Sequence, residues 1–247
     1  MNGTEATLLV VGGTSDIGHA IAVRFGQAGW SIQLAGRDPD GLARNARDIE
    51  TRTQAAVSVH PLDILDYASF PDFTSGLGRL PDVAACVVGL LGDQRSAESD
   101  AAHARLVMRT NYEGPALLLS ELAEQFAARG SGTIVGVSSV AGDRGRASNY
   151  VYGSAKAGFS AYLSGLRNRL CKRNVRVITV KPGFVNTRMT AGLDLPRALT
   201  AQPDEVGAAV FRAVQRGSPV IYVRPIWRLI MAVICAIPER LFQRLRL

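Results

Sequence analysis

Tyr152-Gly153-Ser154-Ala155-Lys156 places a phenol and an ammonium at positions i and i+4 of a segment with helical patterning. That spacing stacks both side chains on one face, one turn apart. A free tyrosine has a pKa near ~10, too high for proton exchange at neutral pH, and a neighbouring ammonium lowers it by favouring the phenolate. Such a pair can give a proton to a carbonyl oxygen as hydride arrives at the carbon, or remove it in reverse. Two further residues can serve the same centre. Ser139 follows the strand-like run Ile134–Ser138, where its hydroxyl can hold the same oxygen, and Asn111 can anchor a water relay behind Lys156.

The other end of the sequence offers a place for a hydride donor. The strand candidate Thr7–Gly12 runs into Val11-Gly12-Gly13-Thr14-Ser15-Asp16-Ile17-Gly18 and then into an amphipathic helix. Glycine lets the backbone approach a pyrophosphate, and the helix dipole favours its charge. Gly12, Thr14, Ser15, Asp16, Ile17 and Gly18 are therefore candidate dinucleotide contacts. Asp16, close to where a phosphate should lie, is expected to cap the helix N-terminus rather than repel the cofactor. The second strand ends in Leu34-Ala35-Gly36-Arg37. Gly36 has no carboxylate for a ribose hydroxyl, and Arg37 can meet a 2′-phosphate through its planar fork. NADP(H) is favoured, with NAD(H) possible. In the alternative reading Arg37 merely faces solvent beside Asp38.

Elements that must position these residues are legible as short apolar runs alternating with longer amphipathic ones. Strands are predicted at Thr7–Gly12, Ser31–Ala35, Ala55–His60, Val83–Val88, Thr133–Val137, Val175–Lys181 and Val220–Val223, mostly continuous β-branched runs of the kind buried on both faces of a parallel sheet. Helices are predicted at Ile17–Ala28, Leu42–Thr51, Ala101–Arg129, Val151–Arg173 and Asp204–Gln215. The alternation implies α/β architecture: one Rossmann-like, doubly wound parallel sheet of about seven strands with helices on both faces. Residues 1–223 form that domain, and 224–247 form an extension with one more amphipathic helix. Pro182, Pro196 and Pro203 punctuate a long connection suited to covering a substrate.

Composition narrows the function classes. The chain has 247 residues, a net charge of +7, 47% apolar and 20% charged residues, which is ordinary globular composition. Three cysteines and three histidines, without ligand spacing, argue against a disulfide framework or a metal site. Met1–Ala6 has no cationic start, so no signal peptide is expected, and no apolar run is long enough to span a bilayer. In the tail, Arg224, Arg228, Arg240, Arg244 and Arg246 against Glu239 give +4 of the +7. Cationic ends around apolar Leu229–Ile237 suit a helix lying in a headgroup layer with Trp227 near the interface; the alternative is a helix packed on the sheet or in a dimer interface. No base-stacking array accompanies these charges, so nucleic acid is not an expected partner.

Taken together, Gly12 and Gly18, Asp63, Asn111, Ser139, Tyr152, Lys156 and Pro182-Gly183 make residues 7 to about 223 resemble the short-chain dehydrogenase/reductase family. The resemblance implies that Asn111, Ser139, Tyr152 and Lys156 are a catalytic tetrad with Tyr152 as the acid/base, and that Lys156 also holds the nicotinamide ribose. It implies that Asp63 binds the adenine amino group, that Val185 and Thr187 contact the carboxamide, and that Gly89, Pro182 and Gly183 belong to the cofactor site. Family members commonly form dimers or tetramers through the helix bearing the tyrosine. Two departures stand out: Asp16 replaces the middle glycine of the turn, and Cys86-Val87-Val88-Gly89 replaces Asn-Asn-Ala-Gly.

Several stretches, including Gly89-Leu90-Leu91-Gly92-Asp93, Thr187-Arg188-Met189 and Ile237-Pro238-Glu239-Arg240-Leu241-Phe242, look like the subfamily that reduces decaprenylphosphoryl-2-keto-ribose. That resemblance implies a lipid-phosphate sugar substrate, a flavin-dependent oxidase as partner, and a cytoplasmic location peripheral to the inner membrane. Arg144 and Arg146 can then clamp a substrate phosphate, or equally form a solvated loop. Rival readings are a soluble NADPH-dependent ketone or 3-oxoacyl-thioester reductase and a cofactor-sensing protein without turnover.

Overall fold

The computed structural model describes residues 6–245, so Arg246 of the basic tail lies outside the described residues. Seven strands form one wholly parallel sheet: β1 (Thr7–Val11), β2 (Ser31–Gly36), β3 (Val57–Pro61), β4 (Val83–Cys86), β5 (Gly132–Val137), β6 (Val175–Pro182) and β7 (Val220–Val223), in the order β3-β2-β1-β4-β5-β6-β7. Each begins or ends within two residues of its predicted bounds. Alternation along a strand sends neighbours to opposite faces. Thus Leu8 and Val10 join Phe25, Leu42, Ile49 and Val210 on one side. Leu9 and Val11 join Leu119, Phe126, Phe159 and Leu163 on the other.

The helices are α1 (Asp16–Gly26), α2 (Pro39–Thr53), α3 (Phe70–Ser75), α4 (Gln94–Ser99), α5 (Ala101–Met108), α6 (Gly114–Arg129), α7 (Tyr150–Leu170), α8 (Pro203–Arg216), α9 (Ile226–Ala236) and α10 (Glu239–Phe242). The predicted helix over 101–129 is interrupted by a π turn at Arg109–Glu113. Pro115 explains the break: it has no N–H for the carbonyl of Asn111 four residues back, and its ring crowds that carbonyl.

The strand order reverses direction between β1 and β4. Parallel sheets bind ligands beyond the carboxyl ends of their strands at such a switch point. Register sets those ends level, with Val11 beside both Ala35 and Cys86, and Cys86 beside Gly136. The Gly-rich turn, Gly36-Arg37, Asp63, Gly89, Ser139 and Thr187 therefore all emerge along one edge.

The extension is more embedded than a peripheral appendage. Trp227, expected near a membrane interface, is buried: its indole packs edge-on against Phe184 and donates Nε1–H to the Leu199 carbonyl at 3.1 Å. Arg224 also turns inward, onto Glu205 at 2.8 Å and the carbonyl of Ala198 at 2.8 Å. Among the described residues, no helix is long and apolar enough to cross a membrane.

Candidate active site

Tyr152 lies in the first turn of α7, which is fixed from two sides. Val151 N–H donates to Gln94 Oε1 at 3.1 Å, and Ser138 Oγ donates to the Lys156 carbonyl at 2.9 Å, tying α7 to the end of β5. The turn at Val140–Gly142 presses on the same helix. A Cβ at Gly142 would lie 2.7 Å from the Ala157 nitrogen, so only glycine permits the approach. That contact delivers Ser139, whose hydroxyl hydrogen-bonds to the Tyr152 phenol and accepts from Ala141 N–H at 3.1 Å.

One turn on, the buried Lys156 Nζ donates to the carbonyls of Val137 at 3.2 Å and Val88 at 3.4 Å. It stands 5.8 Å from the centroid of the Tyr152 ring. Asn111, fully buried in the π turn, donates Nδ2–H to the carbonyls of Leu90 at 2.7 Å and Val107 at 2.8 Å, and its Oδ1 accepts from Leu90 N–H at 3.2 Å. Gly89 separates the two: a Cβ there would fall 3.1 Å from Asn111 Oδ1 and 3.5 Å from Lys156 Nζ. All four expected catalytic residues converge.

Their electrostatics differ from the sequence expectation in one respect. Burial pushes the Tyr152 phenol up to about 12, against a smaller opposite pull from the Ser139 hydrogen bond. The Lys156 ammonium, 5.8 Å from the ring centroid, does not offset that burial. Burial likewise pushes Lys156 down to about 8, with Cys86 pulling weakly the other way. Cys86, one of the departures noted above, is a buried thiol held up at about 11 and acts as an apolar filler.

Beside this centre lies a cleft of about 370 Å³ lined by Gly12, Thr14, Ser15, Asp16, Ile17, Arg37, Gly89 and Thr187, with Leu62 and Ile64 at its far wall. Its floor suits a pyrophosphate. Gly12 has φ +93°, and a Cβ at Gly18 would lie 2.5 Å from the Gly12 carbonyl oxygen, so strand end and helix start meet as only glycines allow. Ser15 caps α1: its Oγ accepts from Gly18 N–H at 3.0 Å and donates to the Gly12 carbonyl at 2.8 Å. Asp16 therefore does not cap, contrary to expectation; it is the first residue of α1 and is bound to Arg188 instead. Arg37 is exposed on the cleft wall, while Asp38 is occupied as the cap of α2 through Gly41 N–H at 3.0 Å. The residues fit a dinucleotide with a 2′-phosphate.

The model of the family described as short chain dehydrogenase matches residues 6–197. The chain belongs to the short-chain dehydrogenase family. It is 37% identical over 244 residues, covering 97% of each chain, to an uncharacterized oxidoreductase of Mycobacterium tuberculosis strain H37Rv. It is 38% identical over 249 residues, covering 99% of this chain and 97% of the other, to an uncharacterized oxidoreductase of Streptomyces coelicolor. A solved short-chain dehydrogenase from Sphingobium yanoikuyae in complex with NADPH has a TM-score of 0.81 over 95% of this chain and 97% of that one; at 23% identity this is a likeness of fold. This short-chain dehydrogenase is an NAD(P)-dependent oxidoreductase.

Other expected site residues stand away from the cleft wall. Asp63 is exposed at the rim between Leu62 and Ile64, with Oδ1 accepting from Leu65 N–H at 2.9 Å. Gly183 lies behind the cleft, where a Cβ would sit 1.9 Å from the Trp227 ring, so its glycine serves packing of the tail. Pro182 ends β6, and Val185 is buried, its carbonyl accepting from Thr190 Oγ1 at 2.7 Å. Arg144 is not a phosphate clamp. It donates to the carbonyls of Ile234 and Ile237 at 2.6 Å each and to Glu239 at 2.9 Å, with its guanidinium 3.7 Å over the Phe242 ring, so it closes the C-terminus of α9. Arg146 is half-buried in the same loop, which lowers its pKa by desolvation.

Two features escaped sequence reasoning. Arg188 lines the cleft, signalled only by its place beside Thr187. A second cavity of about 620 Å³ opens on the other side of Tyr152, lined among others by Asp93, Gln94, Arg95, Glu98, Ser148 and Asn149. Its charged residues come from α4, a helix with no apolar periodicity to announce it, and from Asp93, the N-cap of that helix.

Proposed function

We propose that this short-chain dehydrogenase uses NADPH to reduce the ketone of a lipid-phosphate-linked keto sugar, the 2-keto group of a polyprenyl-phosphate pentose, at a membrane surface. The observation carrying this reading is that Tyr152 lines a cavity where six polar or charged side chains, those of Asp93, Gln94, Arg95, Glu98, Ser148 and Asn149, stand among apolar ones. Those groups can hydrogen-bond the hydroxyls of a sugar. Arg95, rather than Arg144, is the cation of that wall and is placed to meet a substrate phosphate.

The dinucleotide supplies hydride to the carbonyl carbon. Tyr152 supplies the proton to the carbonyl oxygen, and the Ser139 hydroxyl holds that oxygen by a hydrogen bond. The Lys156 ammonium, one turn below, stabilises the phenolate left behind. Asn111 holds the Leu90 peptide from both sides and so fixes the floor on which Gly89 and Lys156 meet. Arg37 favours NADPH over NADH, since Gly36 offers no carboxylate to a ribose diol.

The tail supports the membrane part. Packing of Trp227 and Met231 leaves the opposite face of α9 apolar and exposed, with Leu229 63% and Val233 59% accessible, and Arg228, Arg240 and Arg244 exposed around it. An apolar face bordered by arginines suits an anionic headgroup layer on the cytoplasmic side. A flavin-dependent oxidase is the class of partner that would supply the ketone. Self-association as a dimer or tetramer through α7 is part of the same reading.

The test is NADPH oxidation with a polyprenyl-phosphate ketopentose in anionic vesicles, against water-soluble ketopentose phosphate and a 3-oxoacyl thioester. The lipid-linked ketone is expected to turn over fastest, and Leu229→Asp with Val233→Asp to abolish vesicle binding without touching the core. Preference for the thioester, or wild-type protein that ignores vesicles, would overturn the reading in favour of a soluble ketone reductase.

A further inference from the structure

Asp16 carries a negative charge on the cleft wall at the start of α1, where a dinucleotide pyrophosphate is favoured by the helix N-terminus. Left bare, it would oppose that ligand. It is not bare. Its Oδ2 accepts from the Arg188 backbone N–H at 2.7 Å and its Oδ1 from Arg188 Nε at 2.9 Å, while Arg188 Nη2 donates to the Thr14 carbonyl. These bonds join segments 172 positions apart: the turn after β1 and the connection after β6.

The arginine arrives pre-oriented. Thr187 and Thr190 form a reciprocal capping box around the short turn Arg188–Thr190, and Thr190 Oγ1 also donates to the Val185 carbonyl, so the backbone N–H of Arg188 is held in place. Thr14, Asp16, Thr187, Arg188 and Met189 all line the same cleft, so the clasp ties together two segments of its wall. Arg188 is 74% exposed and Asp16 28%, which makes the pair easy to break.

We propose that the Asp16–Arg188 clasp is the latch of the dinucleotide cleft: closed, it spans the bound cofactor and cancels the charge of Asp16; open, it frees the exit and turns a carboxylate on the pyrophosphate. The two residues position the cofactor and set its release rate. They take no part in the proton transfer.

The charge logic makes a prediction that a simple packing contact would not. Arg188→Met removes the latch and leaves Asp16 bare, whereas Asp16→Asn removes the latch and the repulsion together. Release of NADPH, followed by its fluorescence during a chase with excess NADP+, is expected to quicken about tenfold in Arg188→Met and only about threefold in Asp16→Asn. The double variant should release more slowly than Arg188→Met, because the bare carboxylate is gone. Melting temperatures of the ligand-free proteins should stay within about 2 °C of wild type, as expected for an exposed pair. The proposal is overturned by wild-type release in Arg188→Met, by a double variant no slower than that single one, or by faster release that simply tracks a lower ligand-free melting temperature.

Discussion

The dinucleotide cleft and the cavity lined by Tyr152 are made of different material. The dinucleotide cleft is built largely of main chain and small residues at the ends of parallel strands: Gly12, Gly36, Val88 and Gly89 are held by sheet register. The other cavity is walled by the loop before α4, α4 itself, Val107 of α5, the loop at 147–149, the first turn of α7 and Leu193, none of them on the sheet. A backbone-built site varies little when its side chains change. A site built on loops and a short polar helix can be rewritten residue by residue. On the proposed reading the first cavity therefore sets the reaction, and the second the substrate.

The largest effect should come from Tyr152, which lines the second cavity. Tyr152→Phe keeps the ring in its buried seat and removes only the proton, so kcat for ketone reduction is expected to fall about 10³-fold. NADPH affinity should change little, because the cleft wall is unaltered. Equal losses in kcat and in NADPH binding would mean that the cavities are not separable at this residue, and the comparison would break there.

A pH profile sharpens the same point. With the phenol pushed up to about 12, Tyr152 is protonated throughout the neutral range and reduction needs no prior proton uptake. Oxidation of the product alcohol needs the phenolate, whose fraction rises about tenfold per pH unit below the pKa. Reduction should thus be nearly flat from pH 6 to 8 while oxidation climbs across the same window. Above about 8 the buried Lys156 loses its charge and its help to the phenolate, so the climb should flatten. An oxidation plateau already at pH 7 would show that the filled cleft pulls the phenol down by several units.

Legibility in the sequence followed the same divide. Strands buried on both faces, such as Leu8–Val11 and Val83–Cys86, write their burial as unbroken apolar runs, so the sheet could be placed. Tyr152 and Lys156 were legible because helical spacing is fixed by geometry. Asp16, Arg144 and Trp227 were misread for a common reason. Each is decided by a partner far away in the chain: Arg188 for the first, the end of α9 for the second, and Phe184 with Leu199 for the third. A polar or aromatic residue announces that it needs a partner, but local pattern does not say which. The raised pKa of Tyr152 has the same origin, since its burial comes from surrounding segments that periodicity does not show.

The finest test compares one arginine from each cavity. Arg37 lies where the chain leaves β2, on the wall of the cleft. Its expected contact with a 2′-phosphate is charge-assisted, a class worth about 1.5–3 kcal/mol, so Arg37→Ala should weaken NADPH by at least about tenfold and leave NADH almost unchanged. Arg95 is exposed on α4, where solvent screens it, and exposed pairs contribute about 0.2–1 kcal/mol. Arg95→Ala should therefore raise KM for a phosphate-bearing ketone by only about threefold, with kcat and the NADPH constant untouched. Steady-state kinetics with both cofactors and with a charged and a neutral ketone separate the four cases. If Arg95→Ala shifts cofactor affinity, or Arg37→Ala shifts KM for the ketone, the two cavities work as one site, and the division between reaction and substrate does not hold.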